Sequence, residues 1–63
     1  MTFTIETSLR DTLQAINLAN NLELSFEQDG SNFFIFKSES QFFTFTDELD
    51  ALKLEFETHN FNN

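Results

Sequence analysis

The spacing of hydrophobic positions changes along this chain, and each spacing predicts a different element. Thr2-Phe3-Thr4-Ile5-Glu6 alternates, which predicts a short strand or extended arm with Phe3 and Ile5 on one side. From Ser8 the period becomes helical. Leu9, Leu13 and Ile16 fall at i, i+4 and i+7, Ala15 and Ala19 widen the stripe, and Ser8 with Asp11 has capping-box spacing. A helix is predicted over 8–20, stopped at Asn20-Asn21 because Asn tolerates the left-handed backbone that ends helices.

Leu22 to Glu27 alternates strictly and predicts a half-buried strand over 22–28. Asp29-Gly30 is a hairpin signal, Phe33-Phe34-Ile35-Phe36 predicts a strand over 33–37, and Gln41 to Thr46 predicts a third over 41–46. A two-residue turn at Asp29-Gly30 pairs Phe26 with Phe33 and Leu24 with Ile35, and the next loop sets Ile35 against Phe43 and Phe33 against Phe45. One sheet face then collects Leu22, Leu24, Phe26, Phe33, Ile35, Phe43 and Phe45. The other collects Glu23, Ser25, Glu27, Phe34, Phe36, Phe42, Thr44 and Thr46, a mixture of acidic, aromatic and hydroxyl residues.

Thr46 followed by Asp47, Glu48 and Asp50 is the pattern of an N-cap with acids in a first turn, and Leu49, Leu52 and Phe56 continue at i, i+3 and i+7. A helix over 47–58 is preferred, with a frayed tail over 59–63. Leu52 to Glu57 also alternates, so a short helix followed by a fourth strand is the rival reading. That segment echoes Leu22 to Glu27, a match that reads as amphipathic coincidence rather than duplication. The expected fold is α+β, a single domain over 1–63. It consists of a three-stranded antiparallel meander packed by an N-terminal and a C-terminal helix, with room for a short extra strand at either end.

Composition sharpens this picture. The chain has 63 residues, a net charge of −8, ten Phe, and no Cys, Pro, Trp or Tyr. So many aromatic residues mark a folding chain rather than a disordered acidic tail. Without Cys there is no disulfide or thiolate site, and the N-terminal residues have neither a basic region nor an apolar run, so a soluble cytoplasmic protein is expected. The single His, at 59, has no nucleophile or triad context and reads as a solvated tail residue. One Gly in a turn cannot build a phosphate loop, and Asp47-Glu48-Leu49-Asp50 lacks the ligand alternation of a calcium loop. No enzyme activity, cofactor or metal is expected.

Nucleic acid is disfavoured as a direct partner, since only Arg10, Lys37 and Lys53 are available to neutralise phosphate. The inverse is attractive: a compact acidic body is steered toward the basic groove of a nucleic-acid-handling protein. The residues expected to meet such a partner are Glu23 and Glu27, an acidic ridge of Asp47, Glu48, Asp50, Glu55 and Glu57, and an aromatic anchor of Phe34, Phe36 and Phe42. Two other readings stand beside it. One is a small homodimeric structural or adaptor protein pairing through that aromatic face, its acids serving only solubility. The other is an antitoxin or immunity protein for a basic nuclease.

In layout, a very small, acidic, Cys-free chain rich in Phe, Asn and Thr, with a helix, a meander and an acidic last element, resembles phage-encoded anti-defence inhibitors, notably DNA-mimicking anti-CRISPR proteins. The resemblance is one of class and carries no residue by motif. It implies a stoichiometric inhibitor acting in the host cytoplasm, whose acids occupy the DNA-binding or PAM-reading groove of an RNA-guided nuclease, with restriction enzymes as equivalent targets.

Overall fold

The computed structural model describes residues 2–61. The chain runs β1 (Thr2–Thr7), a single 3-10 turn (Leu9–Asp11), α1 (Thr12–Asn21), β2 (Glu27–Gln28), β3 (Phe33–Phe36), α2 (Glu39–Ala51) and β4 (Phe56–Phe61). The strands form one sheet in the order β2-β3-β1-β4 with every neighbouring pair antiparallel. Each βαβ segment therefore skips one strand, and the other segment's first strand fills the gap. This is the split βαβ, or ferredoxin-like, topology.

Alternation along the central strands explains where the core lies. Phe3 and Ile5 of β1 and Phe34 and Phe36 of β3 point to the helix side, where Ala15 and Ala19 of α1 and Phe42, Phe45 and Leu49 of α2 close over them. Small residues on α1 and large ones on α2 contribute to this one core. Phe45 sits between Phe34 and Phe36 at centroid separations of 5.2 and 5.3 Å, and Phe26 caps the same pair at 5.5 and 5.9 Å. Four phenylalanines thus form the centre of the fold.

The architecture is α+β as expected, but four elements differ from the sequence expectation. Residues 41–46 are not a strand. They lie inside α2, where Phe42, Phe45 and Leu49 at i, i+3 and i+7 make the buried stripe and the Ser38 hydroxyl caps the helix by accepting the Gln41 N–H. Burial of that stripe outweighs the strand preference of Phe and Thr. Thr46 is consequently mid-helix, its hydroxyl donating to the Phe43 carbonyl, and is not a cap.

The strand expected over 22–28 shrinks to Glu27–Gln28, because Leu22 to Leu24 close α1. The Leu24 N–H donates to Ala19 and the Glu23 N–H to Asn20, with Glu23 itself left-handed at φ 57°. The hairpin register moves by three. Glu27 pairs with Ile35 and Gln28 with Phe34, and Asp29 donates to Phe33 around a Gly30-Ser31-Asn32 loop with Gly30 at φ 72°. An odd shift reverses the faces of β3, so Phe34 and Phe36 go inward while Phe33 and Ile35 turn outward.

At the C-terminus the rival reading holds: α2 ends at Ala51 and residues 56–61 form β4 rather than a continued helix or a tail. The last two residues of the expected tail lie outside the described residues. Within α1 the buried positions are Thr12, Ala15 and Ala19, whereas Leu9 and Leu13 are 74% and 70% exposed.

The echo between Leu22–Glu27 and Leu52–Glu57 is a structural repeat at an offset of thirty residues. Lys53 is left-handed at φ 59° as Glu23 is, and the Leu54 N–H donates to Leu49 as the Leu24 N–H donates to Ala19. Ser8 caps the 3-10 turn that leads into α1, and Ser38 caps α2. Buried Thr12, Ala15 and Ala19 of α1 correspond to Phe42, Phe45 and Leu49 of α2. The halves also latch onto each other reciprocally, the Asp11 carboxylate accepting from the Glu55 N–H at 3.3 Å and Gln41 Oε1 from the Ser25 N–H at 2.7 Å.

Candidate functional site

Both helices cover one side of the sheet, which leaves the other side open. The strand residues that point away from the core make up this open side: Thr2, Thr4 and Glu6 of β1, Phe33 and Ile35 of β3, Glu27 of β2, and Glu57 and His59 of β4. Phe33 and Ile35 are half-buried and form an apolar floor. Thr2, Thr4, Glu6, Glu27, Asp29 and His59 surround that floor in a shallow depression of about 760 Å³.

A second groove, of about 500 Å³, runs from the end of β1 to the start of β4 and is lined by Glu6, Asp50, Glu55 and Glu57 beside Leu54 and Phe56. Glu6 belongs to both, so the two hollows adjoin and six carboxylates share the combined surface: Glu6, Glu27, Asp29, Asp50, Glu55 and Glu57.

Basic groups offset little of this charge. Lys37 reaches Glu27 at 4.0 Å, both side chains being exposed. Arg10 holds Asp11 through two parallel hydrogen bonds at 3.2 and 3.3 Å and extends to Glu55 at 3.6 Å. The Arg10 guanidinium is the main reason the Asp11 carboxyl is held below the usual range. Desolvation opposes it, while the Glu55 N–H and the Ser8 hydroxyl reinforce it. The pair raises Arg10 in turn, chiefly through its hydrogen bond to Asp11. Asp11 is therefore a structural anion that ties the first turn of the helix to the α2–β4 connection.

The acidic residues expected to meet a partner divide into two groups. Glu27 and Glu57 lie on the open face, and Asp50 and Glu55 join Glu57 in the adjoining groove. Glu23 lies at the C-terminal end of α1, and Asp47 and Glu48 lie on α2 and line neither hollow, so the acids form no single helical ridge. The aromatic anchor is overturned: Phe34, Phe36 and Phe42 are 0%, 0% and 5% exposed and belong to the core. A homodimer built on those three rings loses its surface with them.

His59 is no tail residue. It lies in β4, half-buried, with Nε2 3.2 Å from Glu6 Oε1 and 4.0 Å from Glu57 Oε2. Sequence reasoning missed Glu6, Phe33 and Ile35 as surface residues. For Glu6 the signal was the Thr-Phe-Thr-Ile-Glu alternation, which places it on the face opposite Phe3 and Ile5 once β1 is made a central strand.

Comparison of the chain with protein-family models, with curated proteins and with solved structures finds no match in any of the three.

Proposed function

We propose that this chain is a non-enzymatic binding protein that uses its open sheet face to occupy the basic nucleic-acid-binding groove of a partner. Within that class the reading is an anti-CRISPR or anti-restriction inhibitor acting by DNA mimicry. One observation carries it: three carboxylates, Glu6, Glu27 and Asp29, rim the depression floored by Phe33 and Ile35, and the adjoining groove adds Asp50, Glu55 and Glu57. Acids that served only solubility would not need the half-buried Phe33 and Ile35 in their midst. An apolar centre with a charged rim is the anatomy of a protein interface, and the charge selects a basic partner.

RNA-recognition modules stack bases on the corresponding sheet surface. Here the surrounding acids repel phosphate, so the same architecture supports a partner of opposite charge. Nothing about the reading requires a cofactor.

The test is competition. A purified RNA-guided nuclease and a restriction endonuclease, each bound to a labelled DNA duplex, are titrated with the protein at about 50 and 200 mM salt, a span over which phosphate-type contacts weaken strongly. Release of the duplex at low salt, reduced at high salt and abolished by Glu27→Lys with Glu57→Lys, supports the proposal. Release that is insensitive to salt and survives both reversals removes charge mimicry, and failure to release either duplex removes these two target classes.

A further inference from the structure

The cluster on β1 and β4 has a second chemical property, independent of any protein partner. Glu6 and Glu57 are direct cross-strand partners, and His59 follows Glu57 by two residues on the same face. One donor atom from each of the three lies within 4.8 Å of the others. The closest approaches, 3.2 Å from the imidazole to Glu6 and 4.0 Å to Glu57, bracket the roughly 3.3 Å between donors on a tetrahedral ion with bonds of about 2.0–2.1 Å. The backbone beneath is fixed, because β1 and β4 pair over all six residues from Thr2↔Phe61 to Thr7↔Phe56.

Charge points the same way. On the other edge strand, Glu27 has Lys37 as its neighbour. Glu57 instead faces a second carboxylate, and among the described residues no lysine or arginine lies within 4.0 Å of Glu6 or Glu57. We propose that Glu6, Glu57 and His59 form a three-ligand site for a divalent cation that accepts imidazole, zinc above all. Magnesium and calcium prefer all-oxygen shells of six or more ligands, which this site does not offer. Three protein ligands leave the fourth position of the ion open to water or to a donor from outside.

The experiment is calorimetric titration of the full chain with zinc chloride at pH 7 in a non-coordinating buffer, with His59 imidazole resonances followed in parallel. The expected result is a single 1:1 event that shifts the His59 ring signals. His59→Ala and Glu57→Gln each weaken it by about tenfold or more, while Asp47→Asn and excess magnesium leave it unchanged. Far-UV circular dichroism confirms that each variant is folded, and Glu6→Gln replaces His59→Ala if the latter is not. Absence of a His59 shift at millimolar zinc overturns the site. So does binding that survives both ligand substitutions, or uptake of several ions spread over the carboxylates. The measurement uses no protein partner, so its outcome is separable from that of the inhibitor reading.

Discussion

Replacing Phe43 and Phe45 one at a time by Ala separates the observed fold from the strand that the local pattern suggests. Two residues apart, the rings would share one face of a strand and lose comparable burial. On α2 they diverge by about 200°, and Phe45 is fully buried between Phe34 and Phe36 while Phe43 is 54% exposed, touching Phe42 at 5.3 Å. Phe45→Ala should therefore cost about 3–5 kcal/mol, toward the upper end because two aromatic contacts disappear with the burial. Phe43→Ala should cost about 0.5–1 kcal/mol. A domain of this length has only about 3–9 kcal/mol in total, so Phe45→Ala sits at the edge of unfolding and Phe45→Leu supplies a graded companion. The chain has no Trp or Tyr, which makes far-UV circular dichroism the natural probe. A loss of about 3 kcal/mol lowers Tm by roughly 12–24 °C. Equal losses for the two substitutions, or a larger one for Phe43→Ala, would refute the helical placement of residues 39–51.

Further expectations follow from single contacts. Glu23 and Lys53 occupy left-handed positions at φ 57° and 59°, so Glu23→Gly and Lys53→Gly should each raise stability by about 0.5–1 kcal/mol in urea titration, where an ordinary helical position would lose that much. Leu13→Ser should change stability by less than about 0.5 kcal/mol, since that side chain is exposed, and a large loss would return Leu13 to the core. Asp11 has a folded-state pKa below its unfolded value near 4. Its contribution is thus complete above that value and is lost as pH falls through the lowered one. Tm measured from pH 7 to 2 should fall less in acid for Asp11→Asn than for the parent chain, and parallel curves would exclude the Arg10–Asp11 pair as the source.

The sequence was most informative where local rules and tertiary burial agree. Ser8 as a cap, a helix after it and the strand character of Phe33 to Phe36 were legible because such local signals reach only a few residues, whereas the Leu9 and Leu13 stripe expected for that helix is exposed. Residues 41–46 misled because Phe-Phe-Thr-Phe-Thr satisfies a two-residue period at Phe43 and Phe45 and a helical one at Phe42, Phe45 and Leu49. Only the presence of Phe34 and Phe36 beneath them decides between the two. The open face was hidden for a related reason. Whether Phe33 or Phe34 points inward depends on a hairpin register set by one loop residue more or less, which local alternation in an unbroken apolar run does not encode.

The thirty-residue offset resolves what looked like an imbalance of charge. Residues 1–31 carry five acids and one arginine and residues 32–63 six acids and two lysines, so each half has a net charge of −4. The acidity is therefore not a property of a C-terminal element, and its concentration arises only when the two halves interleave. Part of it has a structural use, since Glu27 on β2 and Glu57 on β4 flank the sheet, and charged edge strands resist pairing with other chains. Edge protection does not reach Glu6, which belongs to a central strand, nor does it account for Phe33 and Ile35 beside it. Glu6 stays partly exposed and is met by His59 at 3.2 Å, beside the half-buried Phe33 and Ile35. On the proposed reading Glu6, Phe33 and Ile35, rather than the total charge, are the residues whose substitution tests whether the face binds a partner.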